Sequence, residues 1–420
     1  MKKLSLFLIV VLILTMLSGC SRSQNSNSKE PVLRVCVSDL NSLLYETVET
    51  MVKAYREENA EVKIKLEVLS TNLEDEAETK QMRTDIMAGK GPDLFILQAR
   101  GQEADELNFL FPNVNKAIES GVFCNLDEYI NNDKFWKDAN IPEEILKAGR
   151  YNGHQYVLPI TIDLPMIVQD EAEKVDISSE KTLLDCIEKV RESGNQKALK
   201  EIEDYCFTSR FQLLENALDY DEQEVLFDKT MYIELGKCLS EVTLQRTRQE
   251  ESELGEFSKR SGASYFVKST FEEENLDYQV IPTVMAKRTA YVQSYGAISA
   301  NSKEKEIAYD FLRFFLDAER QGGKDSVGRY NWSIESGGEY PVNRDGFVSY
   351  LNEKPAKEEV LKCFDSIEDC VFLSQGSRLA GEHVKEVISR IISGEPPYTE
   401  KELKIFADEI FKKYEMILKE

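Results

Sequence analysis

The sequence predicts an α/β protein folded as two lobes. Three observations carry that expectation. The chain has 420 residues, more than one compact core holds. Its composition, 42% hydrophobic and 30% charged, is that of an ordinary globular protein. Between Leu33 and Leu97 the apolar pattern runs strand, helix, strand, helix, strand, which calls for a parallel sheet with right-handed crossovers.

The chain opens with Lys2 and Lys3 before an apolar run, LSLFLIVVLILTML, from Leu4 to Leu17. A short charged region and such a run read as a secretory signal, too short and wrongly flanked for a membrane span. The run ends in LSGC, Leu17 to Cys20, which resembles the bacterial lipoprotein signal. That resemblance implies removal of residues 1–19 and a lipid, diacylglycerol with palmitate, on Cys20. The stretch SRSQNSNSKE, Ser21 to Glu30, buries nothing that would offset its ordering entropy, so 20–31 is expected to be a flexible tether.

LRVCV (Leu33–Val37) reads as a short buried strand. Leu44, Val48, Met51, Val52 and Tyr55 recur at helical spacing and predict an amphipathic helix to about Asn59. In VKIKLEVL, Val62, Ile64, Leu66 and Val68 alternate with Lys63, Lys65 and Glu67, giving a strand with one wet face near a sheet edge. A charged helix covers about Glu74 to Ala88. DLFIL, Asp93 to Leu97, is almost continuously apolar, as suits a strand buried on both faces.

A Gly-Lys-Gly at 89–91 stands just before that last strand. A phosphate loop lies between a strand and a helix and reads G-x-x-x-x-G-K-[ST]; the sequence has no such pattern. Gly89 is instead expected to end the helix, and Gly91-Pro92 to turn the chain into the strand. Ligands of open α/β sheets bind beyond the strand C-termini. That rule points to Asp39 and Asn41 after the first strand, beside Ser38, and to Gln98 and Arg100 after the third.

Tyr151 to Asp170, YNGHQYVLPITIDLPMIVQD, is extended but broken by Pro159 and Pro165. Proline there argues against a central strand and for a segment crossing between lobes. Residues 171–260 are mostly charged, helix-like and poor in motifs. YQVIP (Tyr278–Pro282) and AYVQSYGAISA (Ala290–Ala300) are strand-like again. The second is a further crossing, on which Gln293, Ser294 and Tyr295 are candidate hydrogen bonders. Asn301 and Glu304 fit a capping box ahead of a helix buried through Ile307, Ala308, Phe311, Leu312 and Phe315. Two terminal helices carry Val384, Val387, Ile388 and Ile391, then Leu403, Phe406, Ile410 and Tyr414.

Function classes narrow by exclusion. A formal charge of −24 argues against nucleic acid, whose phosphates want a basic footprint. His154 and His383 are the two histidines, and neither HExxH nor G-x-S-x-G occurs, so zinc and serine hydrolase signatures and a metal site are missing. The eight cysteines show no metal spacing. Seven remain beyond Cys20, which argues against a full disulfide framework, although Cys363 and Cys370 are spaced to allow a bridge. Trp332, in the Gly-flanked RYNWS loop, is the better of two tryptophans as a platform for a sugar face, while Trp136 packs locally.

Several segments together resemble family 1 extracellular solute-binding proteins of bacterial ABC importers, the group that includes maltose-binding protein. AGKGPDLFIL is similar to that family's strand entry, AIESGVFCNLDEYI to the segment after it, and YNGHQYVLPITID to its crossing segment. YGAISANSKEKEIAYDFLRFFLD, YPVNRD and IISGEPPYTEKELKIFADEI resemble later family segments, in family order over most of 33–420. Two departures stand out. Gln169-Asp170 replace a Tyr-Asn pair, and Ala380-Gly381 stand where sugar binders carry an aromatic.

The resemblance implies a two-lobe periplasmic-binding-protein-like fold, each lobe a mostly parallel sheet flanked by helices, with the ligand cleft between. Lobe 1 is expected to be 32–157 with 294–322, and lobe 2 to be 158–293 with 323–420, hinged near Pro159 and Tyr295. It implies a monomeric receptor rather than an enzyme, without cofactor, that binds a small solute, a carbohydrate, and delivers it to ABC permease subunits. Asp163 would be a cleft-facing carboxylate, joined by Asp39, Asn41, Gln98, Arg100, Ser294, Tyr295 and Trp332. The chain would sit at the outer face of the cytoplasmic membrane, attached through its lipid only. The other reading is a lipid-anchored surface hydrolase or interaction protein.

Overall fold

The first three strands form as the pattern requires. β1 (Val32–Ser38), α1 (Ser42–Glu58), β2 (Lys63–Leu69), α2 (Glu76–Met87) and β3 (Leu94–Gln98) alternate along the chain. β1 pairs parallel with both β2 and β3, so the order is β3-β1-β2. The computed structural model describes residues 32–38, 42–69, 76–99, 109–214, 217–247, 261–262, 270–322 and 340–419. The signal and tether with Cys20, and Asp39, Asn41, Arg100 and Trp332, lie outside these residues.

β2 is the sheet edge, and Val68 on it is exposed. On its wet face Glu67 receives a bidentate pair of hydrogen bonds from Arg34 of β1, each 2.9 Å. The same guanidinium donates to the carbonyls of Lys90 and Gly91. The Gly-Lys-Gly turn is therefore held by an arginine of the neighbouring strand. Gly89 takes φ +69°, and the N–H groups of Gly89 and Lys90 return to the carbonyls of Ile86 and Asp85. That is a Schellman helix end, which needs a residue tolerant of positive φ.

Four short helices between Val114 and Leu146 and a 3-10 turn at Lys147–Gly149 precede the hairpin β4 (Arg150–Tyr151) and β5 (His154–Gln155), then β6 (Val157–Asp163) and β7 (Met166–Asp170). α3 (Leu183–Ser193) and α4 (Gln196–Thr208) lead to the hairpin β8 (Leu218–Asp219) and β9 (Glu224–Val225), then α5 (Lys229–Thr247). β10 (Ser261–Gly262), β11 (Leu276–Val280), β12 (Thr289–Ile298) and α6 (Lys305–Phe314) follow. β13 (Tyr340–Pro341), α7 (Lys357–Asp365), β14 (Asp369–Val371), α8 (Gln375–Ile392) and α9 (Glu400–Lys419) complete the chain. Among the described residues no helix is long and apolar enough to cross a membrane.

The main sheet runs β13-β6-β12-β3-β1-β2, with β14 paired to β12. β6 corrects the expectation drawn from Pro159: it is buried along its whole length, between β13 and β12. Two local features admit the proline. β13 pairs only Thr161 and Ile162, and β12 shifts register on both sides of Ser294, opposite this stretch.

Two apolar cores follow from this arrangement. The first gathers β1, β3, β6 and β12 with α1 and α6; the second gathers α3, α4, α5, α8 and α9. The small sheet β10-β7-β11 lies between them. Strand side chains alternate faces, and β7 divides accordingly: Met166 and Val168 belong to the first core, Ile167 to the second. Core membership thus changes at Leu164–Ile167, returns between Val242 and Phe271, changes again at Val280–Ile281, returns between Val284 and Ala290, and changes last between Phe372 and Ala380. The apolar side chains from Tyr340 to Phe372 pack in the first core, where the sequence reading placed 323–420 with lobe 2, because β6 and β12 recruit β13 and β14.

Three smaller corrections concern local chemistry. Asn301 does not cap α6; Glu304 is the cap residue and has no side-chain bond. Ser302 instead accepts the Glu304 N–H and donates to Asp93, so this turn is used to dock on the entry of β3. Ile307 is only half-buried, while Ala308, Phe311, Leu312 and Phe315 form the stripe. Cys363 and Cys370 are free thiols, as are the other five described cysteines, and Cys363 donates to the Tyr278 carbonyl at 3.3 Å.

His383 of α8 is buried and stacks on Phe406 of α9, centroids 4.2 Å apart. Its Nδ1 has no hydrogen-bond partner, and Nε2 lies 3.7 Å from Glu409. Burial lowers its pKa, against the opposing pull of Glu409, Glu386 and Glu382. The unfolded imidazole therefore takes a proton first, and stability falls as pH drops through the unfolded value near 6.5. Urea midpoints at pH 7.5 and 5.5 should show this loss in the wild type and a smaller loss in His383→Gln.

Candidate functional site

β1 and β3 end side by side, and their C-terminal edge is where an open sheet presents ligands. Ser38 Oγ accepts the Gln98 N–H at 2.8 Å, and the Ala99 N–H reaches the Gln293 carbonyl at 2.7 Å. Gln98 stands opposite Ser294 across β3 and β12. The structure therefore brings Gln98 and Ser294 together, as neighbours in one sheet.

Ser294 and Tyr295 do not face a cleft. Their exposures are 0% and 1%. Ser294 Oγ lies 2.5 Å from Thr161 Oγ1, and the Tyr295 ring meets Phe372 edge-on, centroids 5.3 Å apart. Consecutive strand residues point to opposite faces, and β12 is covered on both, so neither can offer a polar atom to a ligand here. In this structure both side chains serve the packing of β12.

Asp163, at the end of β6, is also buried, at 3% exposure. Its Oδ2 accepts from Gln212 Nε2 at 2.7 Å. Tyr291 pairs with Asp163 across the sheet and donates to the Gln212 carbonyl at 2.6 Å. Two strands of the first core thus grip one residue of the 3-10 turn Arg210–Gln212, which packs under α8 of the second. Gly381 fits there because a Cβ would meet Phe211 at 2.5 Å and the Arg210 carbonyl oxygen at 2.8 Å. That contact explains why no aromatic stands at Gly381.

A cavity of about 20 Å³ marks the narrow cleft between the cores. Ala99, Pro112 and Asn113 line it from one side. Tyr220 approaches from the β8–β9 hairpin, and Ser374 and Gln375 from the start of α8. Ser374 caps that helix by accepting the Ser377 N–H. The described lining has no formal charge: it offers a phenol, two primary amides, a hydroxyl and apolar surface. Such groups suit a neutral hydroxylated molecule. At this volume the space admits about one water, so a larger ligand requires the cores to part.

Tyr220 escaped the sequence reading because it sits in the motif-poor stretch 171–260. A signal was present in LDYDEQEV, where Leu218 and Val225 flank an Asp-initiated turn. Trp136 packs locally as expected, its Nε1 donating to Tyr309 at 2.7 Å. His154 is exposed, with Nδ1 2.6 Å from Asp127.

No protein-family model matches the chain, and no curated protein matches it. Solved structures do. An ABC substrate-binding protein from Listeria monocytogenes, in complex with cycloalternan, is 17% identical, with 91% of this chain and 98% of that chain covered at a TM-score of 0.52. The sugar-binding protein MalE from Xanthomonas citri is 13% identical, covering 93% and 99% at 0.59. An extracellular solute-binding protein of family 1 from Alicyclobacillus acidocaldarius is 13% identical, covering 93% and 98% at 0.57. The fold of this chain is the two-lobe fold of those proteins.

The grip on Gln212 has a measurable cost when broken. Gln212→Leu keeps the volume but removes the donor to a buried carboxylate, and should lower stability by about 1–3 kcal/mol in urea denaturation. An unchanged midpoint would count against the contact.

Proposed function

We propose that this chain is a carbohydrate-binding receptor of an ABC importer, not an enzyme. The observation that carries the reading is the uncharged cleft lining, with its phenol and amides, in a protein of formal charge −24. Tyr220, Asn113 and Gln375 give this part of the cleft neutral polar groups. Sugar hydroxyls need bracketing planar polar groups, and sugar C–H faces need an aromatic ring. The fold supplies the remaining requirement, two cores able to part and close around a ligand.

In this proposal Gln98 lies at the sheet edge next to the cleft, and Asp163 exchanges its Gln212 donor for a ligand hydroxyl on opening. Asp39, Asn41, Arg100 and Trp332 join the contact set on the strength of the sequence. The protein is a monomer that delivers its sugar to permease subunits. It is held at the outer face of the cytoplasmic membrane by lipid on Cys20, since one acyl chain holds weakly and two hold firmly.

Titration calorimetry with a panel of neutral mono- and oligosaccharides tests the binding. At least one should bind reversibly without turnover, and Tyr220→Ala should weaken it by about 1–3 kcal/mol while remaining folded. Absence of binding across the panel, or hydrolysis of a bound sugar, would contradict the proposal. Intact mass of the membrane-extracted protein tests the anchor: wild type should carry lipid on Cys20, and Cys20→Ala should carry none.

A further inference from the structure

Two exposed hairpins, rooted in different cores, meet at the mouth of the cleft. β4–β5 belongs to the first core. Asp127 accepts the Gln155 N–H at 2.9 Å, and the Leu126 N–H donates to the Gln155 carbonyl at 2.8 Å. Its two-residue turn is Asn152-Gly153, at φ 50° and 79°, the positive-φ pair that a type I′ hairpin demands. β8–β9 belongs to the second core, against which Leu218 and Val225 pack. Asp219 organises its loop by accepting the N–H groups of Asp221 and Glu222, at 3.0 and 2.9 Å.

At the tips, the Asn152 N–H donates to Asp221 Oδ1 at 3.0 Å. The first turn residue of a two-residue hairpin has no ladder partner for its N–H, so that donor is free to point outward. A carboxylate only accepts and makes the stronger kind of hydrogen bond. The neighbour of Asp221 is Tyr220, which lines the cleft.

We infer that the Asn152–Asp221 contact is a latch between the two lobes, and that Asp221 is a positioning residue that holds Tyr220 over the cleft. The role of Tyr220 rests on the carbohydrate-receptor reading; the latch does not. One exposed hydrogen bond competes with water and breaks readily, as a cleft that must open to load requires. The donor is backbone, so the identity of residue 152 matters for its turn conformation, while the identity of residue 221 sets the acceptor.

Both parts are testable on the full chain with no sugar added, so their failure is distinct from failure of the receptor reading. Hydrogen exchange at the Asn152 amide should accelerate about fivefold in Asp221→Ala. Asp221→Asn keeps the acceptor oxygen and should exchange near the wild-type rate. Nitration of Tyr220 by tetranitromethane, read by peptide mass spectrometry, should rise in Asp221→Ala and not in Asp221→Asn. Circular dichroism and melting temperature should be unchanged in both variants. Equal amide exchange in wild type and Asp221→Ala would overturn the latch, and equal nitration would overturn the positioning of Tyr220.

Discussion

The antiparallel pairing of β6 with β12 is the constraint on which the rest of the structure depends. These strands run through the middle of the main sheet, and each leads to a crossing between cores. Their far ends carry Asp163 and Tyr291, paired in register, and those two side chains take hold of Gln212. β13 joins the first core through β6, and β14 through β12. The cleft lies between bodies joined along this line, at the small sheet and at the Asn152–Asp221 contact.

The small sheet adds a second consequence of strand alternation. Its face toward the second core carries buried amides, not only apolar groups. Gln169 exchanges two bonds with Val175, and Gln279 accepts the Ile177 N–H at 2.7 Å. A buried amide with its partners supplied is cheap to keep and costly to orphan. These bonds fix the segment 174–177 beside β7 and β11, so the cores are pinned by polar contacts as well as by close apolar packing. Around this frame the ion pairs are mostly exposed and each contributes little. The net charge of −24 acts on solubility rather than on fold.

Much of this was legible in the sequence where one physical rule governs. Period-two and period-3.6 patterns gave β1 to β3 and their helices, because burial alone decides those elements. The turn at Gly89 was readable because a helix end with positive φ favours glycine. Pro159 misled, since a proline is excluded from a ladder only where its missing N–H is needed, and a two-residue β13 beside a shifted β12 relaxes that need. Ser294 and Tyr295 misled for a different reason. Polar residues on a strand read as ligand-facing, yet a strand covered on both faces buries them, and coverage is a tertiary property. Tyr220 was missed because its position depends on a hairpin whose partners lie in another core. The hydrogen bond of Asp163 to Gln212 spans 49 residues and leaves no local trace.

We propose that two bodies joined at the β6–β12 line close around a neutral sugar. Small-angle X-ray scattering of the protein, free and saturated with the sugar that titration identifies, tests it most directly. The bound state should have a smaller radius of gyration, with scattering profiles fitted by the two cores moving as near-rigid bodies. An unchanged radius at saturation would contradict it.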